Sequence, residues 1–197
     1  MKKAIYILFI GLIISFGILI IRGIYHSKSF YALKPGDLIP DAILKDQDGR
    51  EFFISDLKGN ILCLAFIYTR CNVPSMCPSV TEKLVRTKDL LINRGFNRVI
   101  FILISFDPSW DTPDRLKEYA SQYDVDYTFF RFASGDPQTI ANLSRAFNIY
   151  YREASNGIFE HNIVVSLIDQ NGILRKYFLG TEWRKEDLIS EIEFLIK

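Results

Sequence analysis

The sequence predicts an α/β domain in which helices flank a mixed central sheet, preceded by an N-terminal transmembrane helix. Three observations predict this fold class. Apolar, strand-like runs alternate with helix-like periodic segments, the chain closes with a hairpin and a helix, and the first residues form an uncharged apolar segment. The net charge is +1, so no nucleic acid is expected as a partner.

The N-terminal segment, residues 4–21, has the length and composition of a membrane anchor. It carries no charge, and as a helix it would be about 27 Å long, enough to cross a hydrocarbon core. Lys2 and Lys3 precede it, which favours a cytoplasmic N-terminus. A cleaved signal peptide is the alternative, although its apolar region is usually shorter. We therefore predict an anchor over residues 1–27, a linker over residues 28–40 and a domain over residues 41–197.

The first predicted elements of the domain are a short hairpin, a buried strand and a helix. Asp48-Gly49 separates two β-prone runs, residues 42–44 and 51–54, and Asp-Gly is a typical hairpin turn. Residues 61–68 are apolar almost throughout and predict a buried strand. Residues 80–93 have periodic apolar positions and are followed by Gly95, which predicts a helix and its end.

The remaining predicted elements continue the alternation. Residues 98–105 are nearly all apolar, as in a parallel strand covered on both faces. Thr112 and Asp136 each precede a proline, which predicts helices over residues 113–123 and 137–147. The last predicted elements are a strand at 127–132, an irregular segment at 148–159, a hairpin of strands 161–169 and 173–179, and a closing helix at 184–196.

Two cysteines, Cys71 and Cys77, lie between the first buried strand and the helix that follows it. Pro78 suits the first helical position, which places Cys77 at the helix entrance. A helix N-terminus stabilises a thiolate, the form of cysteine that attacks disulfides and binds metals. Cys63 lies within the strand and is expected to be a small buried hydrophobic residue. This strand, loop and helix, with the later hairpin and helix, indicate a thioredoxin-like fold.

Three motifs, in order, resemble the Sco/SenC family of copper-binding proteins. They are Phe66-Ile67-Tyr68-Thr69-Arg70-Cys71 with Cys77-Pro78; Ile104-Ser105-Phe106-Asp107-Pro108 with Asp111-Thr112-Pro113 and Leu116; and His161 with Ile163 to Asp169 and Gly172. The resemblance extends from about Gly36 to the C-terminus. Five residues separate the cysteines instead of the usual three, as in a bacterial subset of the family, and Asn162 replaces the common Ser.

The resemblance implies a copper chaperone anchored in the cell inner membrane, with its domain on the periplasmic side. It implies Cys71, Cys77 and His161 as the copper ligands, and the two cysteines as a redox pair. Two thiolates and an imidazole form a soft set that suits Cu(I), and Cu(II) with an additional ligand. The implied partners are the cytochrome c oxidase subunit that carries the dinuclear copper centre and a thiol reductant protein.

Several other functions remain as alternatives to copper delivery. The main one is a general thiol–disulfide oxidoreductase of the thioredoxin type, although those enzymes use Cys-x-x-Cys and a proline that residues 159–162 lack. A peroxiredoxin-like peroxidase would need a Pro-x-x-x-Thr pattern before Cys71. A binding module with a structural disulfide is a further alternative. A zinc site that adds Cys63 is disfavoured, because Cys63 lies inside the strand.

Three further side chains near the motifs have open roles. Met76 could offer a thioether sulfur, but we expect it to pack within the loop. Asp107 and Asp111 could support the ligands from behind or form a docking surface. Helix capping is the competing explanation for both carboxylates.

Overall fold

Strands and helices alternate through residues 32–155 and 157–196, which are the residues that this computed structural model describes. The strands are β1 (Ile43–Asp46), β2 (Glu51–Phe53), β3 (Ile61–Ile67), β4 (Val99–Ser105), β5 (Phe130–Ser134), β6 (Tyr151–Ser155), β7 (Ile158–His161), β8 (Val164–Ile168) and β9 (Leu174–Leu179). The helices are α1 (Cys77–Asn93), α2 (Pro113–Ala120), α3 (Pro137–Ala146) and α4 (Lys185–Ile196), and a 3₁₀ turn covers Ile54–Leu57.

The main sheet has seven strands in the order β2-β1-β5-β4-β3-β8-β9. Strands β3, β4 and β5 are parallel, whereas β1 runs antiparallel to β5 and β8 runs antiparallel to β3. Every residue of β3 and β4 is buried, as expected for parallel strands covered on both faces. The predicted mixed sheet is therefore confirmed, and the C-terminal end of β3 and the start of β8 meet at one edge.

Strands β6 and β7 form a separate two-stranded sheet, where the sequence predicted an irregular segment. That prediction was wrong because the hairpin is mostly exposed and shows no apolar run. Its aromatic side chains fix it instead: Tyr151 stacks on Phe106 with ring centroids 4.8 Å apart, and Phe159 packs edge-on against Phe106 at 5.5 Å. The predicted strand 161–169 is also corrected, because His161 ends β7 and β8 begins at Val164.

Three element boundaries differ from the predictions for local reasons. Helix α1 begins at Cys77, three residues before the predicted start. Helix α2 ends at Ala120, three residues before the predicted end. Strand β5 begins at Phe130, because Asp126 organises a turn before it by accepting hydrogen bonds from Thr128 N–H and Phe129 N–H. The predicted caps are confirmed: Thr112 accepts from Arg115 N–H, and Asp136 accepts from the N–H groups that follow Pro137.

The predicted membrane helix, residues 4–21, lies outside the described residues, as do the anchor region 1–27 and the first residues of the linker. Within residues 32–155 and 157–196, no helix has both the length and the apolar character needed to cross a membrane.

Candidate metal centre

Strand β3 delivers the cysteine loop to one edge of the sheet. After Ile67 the chain leaves the strand, and Cys71 N–H donates to the carbonyl of Tyr68 (3.2 Å), which closes a turn. Cys77 is the first residue of α1, with Pro78 second, so the predicted helix entrance is one residue off. Cys71 is 6% exposed and Cys77 is fully buried. The two sulfurs are therefore nearly shielded from bulk water at the mouth of a helix.

The β6–β7 hairpin delivers His161 to the same edge. Strand β8, which follows His161, runs antiparallel to β3 and begins beside its C-terminal half, where Val165 pairs with Ala65. The imidazole is half-buried and packs edge-on against Tyr68, with ring centroids 5.5 Å apart and an interplanar angle of 89°. It also contacts Phe106, at 5.1 Å between centroids. These aromatic contacts orient the imidazole toward the cysteines. No signal in the sequence distinguishes them from ordinary core packing.

The structure brings together the three side chains that the sequence singled out. Their ligand atoms all lie within 4.8 Å of one another, and Nε2 of His161 is 3.6 Å from Sγ of Cys77. Three donors in a plane around one ion, at bonds of about 2.0–2.3 Å, are separated by about 3.5–4 Å. The arrangement is therefore close to the size that a single trigonal ion requires.

The electrostatics of the cysteine pair favour a thiolate on Cys71. A hydrogen bond from the Cys77 thiol lowers the pKa of Cys71 well below its ordinary value against the cost of burial, and the His161 side chain and the N–H groups of Val73 and Cys77 add to the lowering. The same interaction and complete burial raise the pKa of Cys77. The Cys77 thiol is thus the main donor that stabilises the thiolate of Cys71, and the N–H of Cys77 at the helix entrance adds to it.

A backbone carbonyl fixes the tautomer of His161. Nδ1 lies 2.9 Å from the carbonyl oxygen of Asn162. Because a carbonyl only accepts, Nδ1 carries the proton in the neutral imidazole, which leaves the lone pair on Nε2. Nε2 is the atom that faces Cys77, so the imidazole presents its free lone pair to the sulfurs. A metal-binding histidine typically has such a partner for its second nitrogen.

The buried carboxylate of Asp111 anchors the start of the cysteine loop. It accepts hydrogen bonds from the backbone N–H of Thr69 (3.0 Å), the hydroxyl of Thr69 and the hydroxyl of Ser105. Burial raises the pKa of Asp111, although these hydrogen bonds oppose the shift. Asp111 is 2% exposed and caps no helix. It supports the loop from behind and is too buried to serve as a docking surface.

The second carboxylate, Asp107, holds the residue next to Cys71. Its side chain is 3% exposed, and Oδ2 lies 2.5 Å from Nη2 of Arg70. The guanidinium of Arg70 also lies over the ring of Trp110, 4.2 Å from its centroid, and a side chain at Gly157 would overlap it. Arg70 therefore joins the cysteine loop, the loop after β4 and the turn of the hairpin that carries His161.

Two other residues that the sequence singled out are Cys63 and Met76. Cys63 is fully buried in β3, where it pairs with Phe101 and Leu167, and desolvation raises its pKa strongly. It does not belong to the three-residue group, so the four-ligand zinc set does not form. All three cysteines are free thiols. Met76 is half-buried and precedes α1.

Comparison with known proteins places this chain in a family. The family model for SCO1/SenC matches residues 34–197. The chain belongs to the SCO1/SenC family. A SCO2-like protein of Rickettsia felis is 31% identical over 144 residues, which cover 70% of this chain and 67% of the relative.

Solved structures of SCO1/SenC proteins share the fold. A SCO1/SenC family lipoprotein from Bacillus anthracis superposes with a TM-score of 0.76 at 26% identity, covering 84% of this chain and 99% of the other. Arabidopsis thaliana ScoI, solved with copper bound, gives a TM-score of 0.72 at 24% identity, covering 81% of this chain and 98% of the other. The thioredoxin-like architecture predicted from the sequence is therefore confirmed.

Proposed function

We propose that this chain is a membrane-anchored copper chaperone and thiol–disulfide protein that assists assembly of the copper centre of a cytochrome c oxidase. One observation carries the proposal: the ligand atoms of Cys71, Cys77 and His161 lie within 4.8 Å of one another. Membership of the SCO1/SenC family and the copper bound to Arabidopsis thaliana ScoI support it. The assignment of the oxidase as recipient follows from the resemblance of the sequence motifs.

Copper is cargo in this proposal, and the three side chains define how it is loaded. Cys71 is the first ligand, because its pKa is lowered and no proton must leave before a bond forms. Cys77 binds next and releases its proton, since only a thiolate ligates. Nε2 of His161 completes a trigonal set that suits Cu(I). Loading therefore releases about one proton per ion near neutral pH.

Release and redox chemistry use the same atoms. A recipient that presents its own thiolates and imidazoles can displace the three ligands one at a time while the ion stays coordinated. Alternatively, Cys71 and Cys77 can close a disulfide by losing two electrons to a disulfide of the recipient, which is reduced to two thiols. A separate thiol reductant then restores the pair. Only the reduced pair binds copper, so thiol state and copper loading are linked.

The test is a Cu(I) titration of the reduced full chain, purified in detergent, against a chromophoric Cu(I) chelator. We expect one copper ion per chain. Cys71→Ala and Cys77→Ala should each weaken binding by at least about 100-fold, because one of two thiolates is lost. Cys63→Ala is the matched control and should keep wild-type affinity, because Cys63 lies outside the group of ligands. Wild-type affinity in Cys71→Ala would refute the proposal.

A general thiol–disulfide oxidoreductase is the second candidate, and the asymmetry of the cysteine pair favours it. Cys71 has the lowered pKa of an attacking thiolate, and Cys77 the raised pKa of a protonated partner. His161→Ala separates the two candidates. A general oxidoreductase would keep its rate with an unrelated disulfide substrate in this variant, and the wild-type chain would turn over that substrate repeatedly. For the chaperone we expect no such turnover and weaker copper binding in His161→Ala.

The location is part of the proposal. Residues 4–21 carry no charge and suffice for one membrane crossing, and the two lysines before them favour a cytoplasmic N-terminus. The domain would then lie on the periplasmic side of the inner membrane. A protease that is added outside spheroplasts should digest the domain, whereas it should leave it intact if the domain faces the cytoplasm.

A further inference from the structure

The hairpin that carries His161 is held by aromatic packing on Phe106 and Tyr68 and by hydrogen bonds at its base. Its strands, β6 and β7, pair only with each other in the part of the chain that the structure describes and do not extend the seven-stranded sheet. The chain enters the hairpin through Asn148 and leaves it through Asn162. The direction of the imidazole therefore depends on its packing against Tyr68 and Phe106 and on the contacts between these two connections.

Asn162 makes contacts that link both connections. Its side-chain oxygen accepts from the N–H of Tyr150 (2.8 Å), and its side-chain nitrogen donates to the carbonyl of Asn148 (2.8 Å). Its own backbone N–H donates to the carbonyl of Tyr150 (3.1 Å). An amide can donate and accept at once, so one side chain closes the base of the hairpin on both sides.

The backbone conformation of Asn148 favours its hydrogen bond with the Asn162 side chain. Asn148 has a φ of 60°, the only positive value outside glycine among the described residues. This left-handed conformation turns its carbonyl toward Asn162, and asparagine tolerates it better than most residues do. The backbone is thus shaped to present an acceptor to the Asn162 amide.

The backbone of Asn162 also orients the imidazole directly. Its carbonyl accepts from Nδ1–H of His161 (2.9 Å), while Nε2 lies 3.6 Å from the sulfur of Cys77. The side-chain bonds hold the residue whose carbonyl selects the imidazole tautomer. If these bonds are lost, the carbonyl can rotate and the imidazole loses its fixed partner.

We propose that Asn162 is a positioning residue for His161: its side chain clamps the hairpin base so that its own carbonyl holds Nε2 toward the cysteines. The inference rests on the proposed function only where copper affinity is concerned. Mutation of a group that orients a metal ligand typically weakens metal binding 10- to 100-fold. Because Asn162 is exposed to solvent, water can replace part of its bonding, and we expect an effect of about 10-fold.

The first experiment determines the tautomer of the His161 imidazole in the absence of copper. The chain contains two histidines, His26 and His161, so ¹⁵N-histidine labelling of the full chain in detergent gives two imidazole systems, which His161→Ala assigns. In the wild-type chain we expect the Nδ1–H tautomer for His161. In Asn162→Ala we expect a mixture of tautomers. An unchanged His161 spectrum in Asn162→Ala would overturn the proposal.

Two further variants separate the clamp from general stability. Asn162→Asp keeps an acceptor for Tyr150 N–H but has no donor for the Asn148 carbonyl. The fraction of His161 in the Nδ1–H tautomer should therefore be lower than in the wild type and higher than in Asn162→Ala. Asn148→Gly keeps the left-handed backbone and the carbonyl, and it should retain the wild-type tautomer. A mixed tautomer in Asn148→Gly, or a wild-type spectrum in Asn162→Asp, would contradict the clamp.

The second experiment is a double-mutant cycle on Cu(I) affinity. Asn162→Ala should weaken binding about 10-fold when His161 is present and should have no effect in the His161→Ala background. Equal weakening in both backgrounds would overturn the positioning role. If the wild-type chain binds no Cu(I), the proposed function fails, and the imidazole spectra still decide the role of Asn162.

Discussion

Nε2 of His161 lies 3.6 Å from Sγ of Cys77, although 84 residues separate them along the chain. The sheet explains this meeting, since β3 leads to the cysteines and the hairpin that ends at His161 leads into β8, the antiparallel neighbour of β3. The hairpin side of the pair is held by aromatic packing on Phe106 and Tyr68 and by hydrogen bonds at its base, whereas the cysteine side is anchored in the core.

Cys71 is expected to react first with iodoacetamide. Its thiol has a lowered pKa, chiefly because Cys77 donates to its sulfur, and it is more exposed than Cys77 or Cys63. A lowered pKa means that the thiolate persists as the pH falls. The alkylation rate should therefore change little between pH 8 and 6, whereas an ordinary thiol slows about tenfold per pH unit. Peptide mapping after limited alkylation measures both the site and the rate.

The control for this prediction is Cys77→Ala, which removes the donor to Cys71. The pKa of Cys71 should then rise toward its ordinary value, and its alkylation should become strongly pH-dependent. A steep pH profile in the wild-type chain, or Cys77 as the first alkylated residue, would contradict the assignment of the thiolate.

Cys63 is expected to contribute to stability alone. It is fully buried in β3, and Cys63→Ala leaves a small cavity that should lower the free energy of unfolding by about 1 kcal/mol. Thiol titration should find Cys63 unreactive in the folded chain and accessible after unfolding in guanidinium chloride. Rapid labelling of Cys63 in the folded chain would show that β3 is not buried as described.

The ion pair of Arg70 with Asp107 is expected to stabilise the fold. Arg70→Ala leaves a buried carboxylate without its charged partner and should lower the free energy of unfolding by about 2 kcal/mol. Arg115→Ala is the matched control, because Arg115 also lies over Trp110, 3.6 Å from its ring centroid, but donates to a backbone carbonyl. Arg115→Ala should lower the free energy of unfolding by about 0.5 kcal/mol. Equal losses of unfolding free energy in Arg70→Ala and Arg115→Ala, measured by urea titration, would contradict the prediction.

Gly157 is expected to matter for copper binding through its contact with Arg70. A methyl group there would overlap the guanidinium, so Gly157→Ala should either break the Arg70–Asp107 ion pair or move the hairpin, and should weaken Cu(I) binding about 10-fold. Gly49→Ala is the matched control, because Gly49 has the same φ of +77° and open space around it. That variant should lose about 1 kcal/mol of stability and no copper affinity. Similar losses of affinity in both variants would assign the effect to backbone strain.

Much of the fold was predictable because its signals are local. The apolar runs at β3 and β4, the prolines after Thr112 and Asp136, and the Asp-Gly and Asn-Gly turns each specify an element within a few residues. The β6–β7 hairpin was not predictable, because its strands are held by the packing of Tyr151 and Phe159 on Phe106, a residue far away in sequence.

The candidate site was predictable in its composition and less so in its arrangement. The motif resemblance named Cys71, Cys77 and His161 before any geometry was known. It gave no reason to assign the thiolate to Cys71, because that depends chiefly on which of the two thiols donates to the other. The motif resemblance also marked Asn162 only as a departure from the common pattern. Its role was not predictable, because its side chain bonds across the hairpin base to Asn148 and Tyr150.

The most direct test of the central claim is X-ray absorption at the copper edge, measured on the reduced chain loaded with one equivalent of Cu(I). We expect two sulfur ligands at about 2.2–2.3 Å and one nitrogen at about 2.0 Å, with the nitrogen lost in His161→Ala. A sulfur-only environment in the wild-type chain, or a spectrum that His161→Ala leaves unchanged, would contradict it.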